Sequence, residues 1–410
     1  MKNIAGSPVE GANFFGREEE TARLCGLLEY HDVLLLGPRR IGKTSIARKV
    51  MINLQQQGWN VLEINVATCQ IEADFLNKLE SALSPVMASM PQKIKALIGD
   101  KLVSLGNRIK KVNIPIPGAG SVGIDLSERE QDDWTNIANS LLHLIGQTQG
   151  TWLIYIDELP IFLFNLIKQD PTHGVARVRR FLDWFRNDVR AQPENRGIHW
   201  LITGSVGLDT LVQEYGMADT INSLKLENLE AFPPEIAVNM LLELAKNYEV
   251  VFSAESAQCL VDAVQWPQPY YLQKVFNELR SQLVTNTHVE MSSLIEQVIN
   301  SLIQPGQDND FHHWEARLKT QLKPSDAVYA REMLTEASLN REGATAQALL
   351  TVLQMQMLNA TQDELKQTFI RLRDILLRDA YWRLDESSEV RRYRFHLEPL
   401  RRWWRRRNAL

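Results

Sequence analysis

The stretch Val33-Leu34-Leu35-Leu36-Gly37-Pro38-Arg39-Arg40-Ile41-Gly42-Lys43-Thr44-Ser45 decides how the rest of the chain is read. From Gly37 to Thr44 it has the spacing GxxxxGK[ST]. Glycines at its two ends let the main chain bend so that successive N–H groups converge on an anion. Lys43 adds a point charge, and the Thr44 hydroxyl is suited to ligate Mg2+. The apolar run before the loop reads as a strand. Ser45 to Leu54 reads as a helix whose positive N-terminal end faces the same anion. Strand, loop and helix in this order form a P-loop, which makes Gly37, Pro38, Arg39, Arg40, Ile41, Gly42, Lys43, Thr44 and Ser45 the candidate residues for holding the phosphates of ATP or ADP.

A loop of this kind needs a carboxylate partner from another strand. Leu153-Ile154-Tyr155-Ile156-Asp157-Glu158 is an apolar run ending in two acids. A buried strand would bring Asp157 to the metal beside Thr44, and would set Glu158 next to the terminal phosphate as the base that orients an attacking water. A further apolar run ends in Thr203-Gly204-Ser205. This strand is expected beside the first, with Ser205 or Thr203 contacting the phosphate or the water. The candidate catalytic residues are therefore Glu158, Lys43 and Ser205, and the candidate metal ligands Thr44 and Asp157.

Outward from these motifs, short β-branched or bulky runs alternate with segments of helical period, the pattern of parallel strands joined by crossover helices. Strands are expected at Asp32 to Leu36, Asn60 to Val66, Trp152 to Ile156 and His199 to Thr203. Their near-continuous apolar character predicts burial on both faces, in a three-layer α/β/α sandwich. A lysine-bearing helix and a Gly/Pro-punctuated hairpin over about 90–126 read as an insertion on this core, which spans 1–225. Helical period dominates 226–304, broken by Pro233-Pro234 and by Trp266-Pro267-Gln268-Pro269. The polar turn Pro305 to Asp310 separates it from 311–410. There Thr361 and Glu364 form a capping box opening a helix to about Arg378, followed by an antiparallel hairpin of Tyr381 to Leu384 with Tyr393 to Leu397. Helices followed by such a hairpin predict a winged helix.

The chain has 410 residues, 44% hydrophobic and 23% charged, with a formal net charge of -5. One hydrophobic core stops growing at roughly 250–300 residues, so two or three domains are expected. A net negative chain is not drawn as a whole to a polyphosphate backbone, so any nucleic-acid contact must be local. Cys25, Cys69 and Cys259 form no CxxC pair, which argues against a disulfide framework or a zinc site and fits a reducing cytoplasm. No apolar run reaches the ~18 residues of a membrane span, and Met1 to Pro8 lacks the apolar stretch of a secretory signal. A cytoplasmic protein without a membrane partner is expected.

Phe14-Phe15-Gly16-Arg17-Glu18-Glu19-Glu20 ahead of the loop, the Gly-Pro-Arg-Arg-x-Gly-Lys-Thr-Ser loop itself, the Asp-Glu strand end, Gly204-Ser205-Val206-Gly207, and a C-terminal Tyr-x-Phe-x-x-x-Pro-Leu with Trp403-Trp404 together resemble the archaeal-type ATPases. These belong to the STAND branch of the AAA+-like ATPases and also occur in bacteria. The resemblance covers almost the whole chain. It implies an ASCE-type core with a helical lid and a winged helix, and it places Phe15, Gly16 and Arg17 in the adenine pocket. Read from the residues alone, the Phe-Phe pair serves equally as core packing. The lid motif differs from the usual glycine-x-proline, being Trp266-Pro267-Gln268 before Pro269-Tyr270-Tyr271-Leu272-Gln273. Arg177, Arg179, Arg180 and Arg186 lie between the Asp-Glu end and the fourth strand; a surface helix accounts for them as well as a finger does.

Three functions fit these motifs. The first is an ATP-hydrolysing, Mg2+-dependent switch that controls a protein partner or a homo-oligomer. The second is a DNA-associated ATPase resembling archaeal origin-recognition initiators, with Arg391, Arg392 and Arg394 on the wing and Arg401, Arg402, Arg405, Arg406 and Arg407 around Trp403-Trp404 touching DNA. The third, a small-molecule kinase, requires an arginine-rich lid that this chain lacks.

Overall fold

The computed structural model describes residues 1–89, 128–148, 150–192, 195–204, 207–283, 290–387 and 390–409. The hairpin expected over 112–126 and its preceding lysines, and also Ser205, lie outside them. Contacts divide the chain into two units, one of Arg17–Gly37 with Lys43–Leu229, the other of Met1–Gly16 with Pro38–Gly42 and Glu230–Leu410.

The first unit holds a five-stranded parallel sheet in the order β2-β3-β4-β1-β5, made of β1 (Val33–Leu36), β2 (Asn60–Asn65), β3 (Trp152–Asp157), β4 (Ile198–Thr203) and β5 (Lys225–Asn228). All residues of β1 and β3 are buried, as runs without polar alternation require. Alternate residues serve opposite faces. Leu34, Ile64, Ile154, Trp200 and Ile202 share one core with Phe75, Leu79, Trp134, Phe162 and Phe181. That core is closed by α3 (Glu72–Ser89), α4 (Glu128–Gly146), α5 (Leu159–Gln169) and α6 (Gly174–Trp184). On the other face α1 (Glu18–Leu28) packs on β1 and β4, and α2 (Lys43–Gln56) on β2, β3 and β4. Fully burying one such aliphatic or aromatic side chain stabilises by roughly 1.5–3 kcal/mol, and dozens do so here. The fourth expected strand indeed pairs with the first, Leu34 opposite Ile202. Strand β5 was not among the expected ones. It lies at the sheet edge with Lys225, Leu226 and Asn228 exposed, so it lacks the apolar run by which a buried strand is read.

The first unit also holds α7 (Leu208–Glu214), and the second holds α8 (Pro234–Asn247), α9 (Ala254–Val264), α10 (Pro269–Leu283) and α11 (Met291–Leu302). Leu294, Ile295, Val298 and Ile299 give α11 a buried stripe at helical spacing. Then come α12 (Asn309–Gln321), α13 (Pro324–Leu339), β6 (Ala344–Thr345), α14 (Ala346–Gln356), α15 (Gln362–Arg378), β7 (Trp382–Asp385), β8 (Arg392–Phe395) and α16 (Glu398–Asn408). The Thr361–Glu364 capping box forms reciprocally at the start of α15. Strands β7 and β8 pair antiparallel, Trp382 opposite Phe395, and β6 adds to the free edge of β8.

Candidate functional site

In the sheet unit, the carboxyl ends of adjacent strands converge on Asp157, the last residue of β3. Its Oδ1 accepts a hydrogen bond of 2.6 Å from Thr203 Oγ1 at the end of β4. Its Oδ2 accepts from Thr44 Oγ1 at 3.3 Å and from Asn65 Nδ2, at the end of β2, at 3.2 Å. The Tyr155 hydroxyl lies 3.2 Å from Thr203 Oγ1. Burial, with help from the Asp157 charge, pushes its pKa far above the ordinary range, so Tyr155 stays protonated and donates. Among the described residues the side-chain donors to Asp157, namely Thr44, Asn65 and Thr203, are thus neutral, and the carboxylate is only 6% exposed. Asn65 was missed by sequence reasoning, because nothing in the sequence signals that a polar residue ending β2 will reach a residue 92 positions away.

Thr44 and Asp157 form an all-oxygen donor pair, the type that suits Mg2+ rather than a softer metal. Among the described residues no group of three or more His, Cys, Asp or Glu could hold a metal by itself. The residues present therefore fit a magnesium ion that takes its remaining ligands from phosphate and water. Lys43 is buried, and its Nζ donates 2.7 Å to the Gly37 carbonyl, at the loop's own start. Ser45 is buried beside it on α2.

Backbone conformation marks the same places. Gly37 and Gly42 have φ of 150° and 106°, values open to glycine and strained for other residues. Among the described residues five non-glycine ones also have positive φ: Arg40, Glu158, Glu249, Gln265 and Ala380. The last three follow the ends of α8, α9 and α15, where a left-handed residue commonly closes a helix. Arg40 (φ 68°) and Glu158 (φ 62°) instead precede helices. Holding each there costs on the order of 1–3 kcal/mol, so the surrounding structure must impose it. Glu158 is half-buried, directly after Asp157.

The loop segment Pro38–Gly42 belongs to the second unit. Pro38 and Ile41 are buried, Arg39 is exposed, and Arg40 is half-buried. The Arg40 guanidinium lies 4.1 Å from the centre of the Tyr270 ring and donates to Asp310 Oδ1. Lys274 and the Tyr270 hydroxyl (2.7 Å) donate to the other oxygen of Asp310. Burial works against ionisation of Asp310, yet the bonds from Lys274, Tyr270 and Arg40 prevail and hold its pKa down to about 2. Buried Gln268 donates 3.0 Å to the Arg39 carbonyl. The departure from the usual lid motif thus supplies a contact of its own. In the same unit Phe15 is half-buried, and Gly16 (φ 66°) lies so close to Ile236 that a Cβ would come within 2.4 Å of it. Arg17, in the sheet unit, is buried and donates 2.6 Å to Glu20.

The remaining arginines are mostly tied to carboxylates. Arg177 pairs with Glu72, Arg179 with Asp183 and Asp219, and Arg186 with Asp219. On α15, Arg371 forks onto Asp326. On α16, Arg401 forks onto Glu398, Arg402 pairs with Glu296 and Glu398, and Arg407 with Glu315. Trp403 and Trp404 are buried, at 1% and 0% exposure. Arg405 and Arg406 are exposed. No helix among the described residues is long and apolar enough to cross a membrane.

No protein-family model and no curated protein matches the chain. Solved structures do. The Walker-type ATPase PABY2304 of Pyrococcus abyssi superposes with a TM-score of 0.60 at 16% identity, covering 99% of this chain and 100% of that one. The ADP form of the Aeropyrum pernix ORC2 protein gives 0.47 at 14% identity, over 98% of both chains. The Thermotoga maritima RuvB Holliday junction branch migration motor gives 0.42 at 13%, over 93% of this chain and 92% of that one. Of these three, the first is near enough in shape to bear on the fold. The chain has the fold of this Walker-type ATPase.

Proposed function

We propose that this protein binds ATP at the Gly37-to-Thr44 loop, hydrolyses it, and acts as a nucleotide-dependent switch on a protein partner or on its own oligomerisation. One observation carries the reading: the buried Asp157 carboxylate, bonded among the described residues by the neutral donors Thr44, Asn65 and Thr203, sits 3.3 Å from the Thr44 hydroxyl that follows Lys43. A buried negative charge without a cation is costly, and this one stands beside a loop built for phosphate. Thr44 and Asp157 would hold Mg2+, which when bound neutralises charge on the phosphate oxygens.

In this reading Lys43 leaves the Gly37 carbonyl for the phosphate oxygens, exchanging one acceptor for a charged one. Glu158 orients a water and takes its proton. Thr203 and Asn65 fix the Asp157 carboxylate. Phe15, Gly16 and Arg17 take the adenine end, as the family resemblance implies, and Ser205 contacts the phosphate or the water. We further propose the three-part division expected above, core 1–225, helical lid 226–304 and winged helix 311–410. The order α13, β6, α14, α15, β7, β8 supports the winged helix. Contact with DNA through this last part has less support, since Arg371, Arg401, Arg402 and Arg407 are engaged by carboxylates and both tryptophans are buried.

ATP turnover and solution size, with and without ATP, test this in wild type, Lys43→Ala and Glu158→Gln. Lys43→Ala should lose nucleotide binding. Glu158→Gln should retain binding, lose turnover by roughly 100- to 10,000-fold, and stay in the ATP-bound size state. Undiminished turnover in both variants would remove the mechanism.

A further inference from the structure

Arg317 on α12 is only 9% exposed, yet none of its three guanidinium nitrogens makes a hydrogen bond. Its ion pair with Asp379 Oδ2 is long, 3.7 Å, and beyond hydrogen-bond reach, while Arg378 donates twice to Oδ1 of the same carboxylate. The Trp314 ring, 5.8 Å from the guanidinium, offers a face but no acceptor. Buried polar groups are nearly always satisfied, so a guanidinium with all its donors unmet calls for an acceptor.

Arg317 lines a narrow cleft together with Arg39, Arg40, His313 and Asp310. All belong to the second unit. The only carboxylate in the lining, Asp310, is already met by Arg40, Lys274 and Tyr270, which leaves the charges of Arg39 and Arg317 without a counter-charge in the lining. The His313 imidazole is held below its ordinary range by burial and by the nearby Arg39 and Arg40 charges, as positive surroundings require. Arg39 and His313 are exposed, at the mouth, and Arg317 is buried.

We infer that this cleft is a binding site for a phosphate oxyanion, gripped by the planar fork of Arg317 and by Arg39. The fork geometry of guanidinium matches two oxygens of such an anion. The oxyanion is either free phosphate or the phosphomonoester end of a nucleotide. At present the cleft has room for about one water molecule, and the exposed Arg39 and His313 are the side chains that move aside to admit the larger ion. The site shares Arg39 and Arg40 with the triphosphate loop but does not depend on Lys43.

Isothermal titration calorimetry of the full chain with inorganic phosphate, and separately with AMP, at constant ionic strength, tests the site in wild type, Lys43→Ala, Arg317→Gln and Arg39→Gln. Binding should persist in Lys43→Ala, which disables the triphosphate loop, and should weaken about tenfold or more in the two arginine variants. Tighter binding of phosphate than of AMP assigns free phosphate, and the reverse assigns a phosphomonoester. If Arg317→Gln fails to fold, the exposed Arg39→Gln decides alone. Absence of binding by either ligand in wild type overturns the site, as does binding lost in Lys43→Ala and unchanged in the arginine variants. The ATPase reading is untouched by that failure, because its own test is turnover.

Discussion

Asp157 in the sheet and Arg401, Arg402 and Arg407 of α16 are all charged groups held by hydrogen bonds, and the fold treats them in opposite ways. Asp157 receives its hydrogen bonds from Thr44, Asn65 and Thr203, none of which cancels its charge. Arg401, Arg402 and Arg407 each face a carboxylate from Glu398, Glu296 or Glu315. A charge held by neutral dipoles stays available to an incoming ion, whereas a charge paired inside the fold has been used to hold elements together. Richness in arginine is therefore a weaker pointer to a binding surface than one carboxylate kept unpaired.

The contrast is open to direct attack. If the α16 region is structural, Trp404→Ala, at a position with no exposure and with its indole nitrogen on Thr335, should cost about 3–5 kcal/mol in urea unfolding while leaving ATP affinity unchanged in the folded fraction. If Asp157 is the functional charge, Asp157→Asn should do the reverse: turnover falls about a hundredfold or more, with little loss of stability by the same unfolding assay. A variant that loses stability and keeps turnover would break the comparison.

Finer changes sharpen it. Thr203→Val removes the donor to Asp157 and the acceptor of buried Tyr155, so unfolding free energy should drop by about 1–3 kcal/mol and turnover should fall with it. The Asp310 carboxyl has its pKa lowered in the folded protein, from 3.8 to about 2. A depressed carboxylate contributes stability above its unfolded value and loses it as pH falls through the folded one, so the acid limb of a stability profile should steepen between those values and flatten in Asp310→Asn. The smallest effect belongs to Arg405→Ala and Arg406→Ala. Both sites are exposed, and the free energy of urea unfolding should change by no more than about 0.5 kcal/mol. Tight retention on DNA that is lost steeply with salt, and lost in these two variants, would restore the α16 arginines as a contact surface.

What was legible in advance was local. Gly37 to Thr44, Asp157 with Glu158, the four buried strands and the Thr361 capping box each lie within one short run, where residue spacing alone constrains the main chain or a buried face. Strand β5 escaped this kind of reading because an exposed edge strand needs no apolar pattern. Asn65 and Gln268 escaped because their partners, Asp157 and the Arg39 carbonyl, lie on elements far along the chain.

Sequence by itself determined that a phosphate-binding turn follows a buried strand, since glycine at 37 and 42 and lysine at 43 leave the main chain few other uses. Tertiary structure decided which charges remain unspent. Whether Arg371 meets Asp326, whether Arg40 meets Asp310, and whether Arg317 is left without a hydrogen bond depends on how elements separated by tens or hundreds of residues come together. Charge cancellation falls off within a few ångströms, and only the packed fold sets distances on that scale.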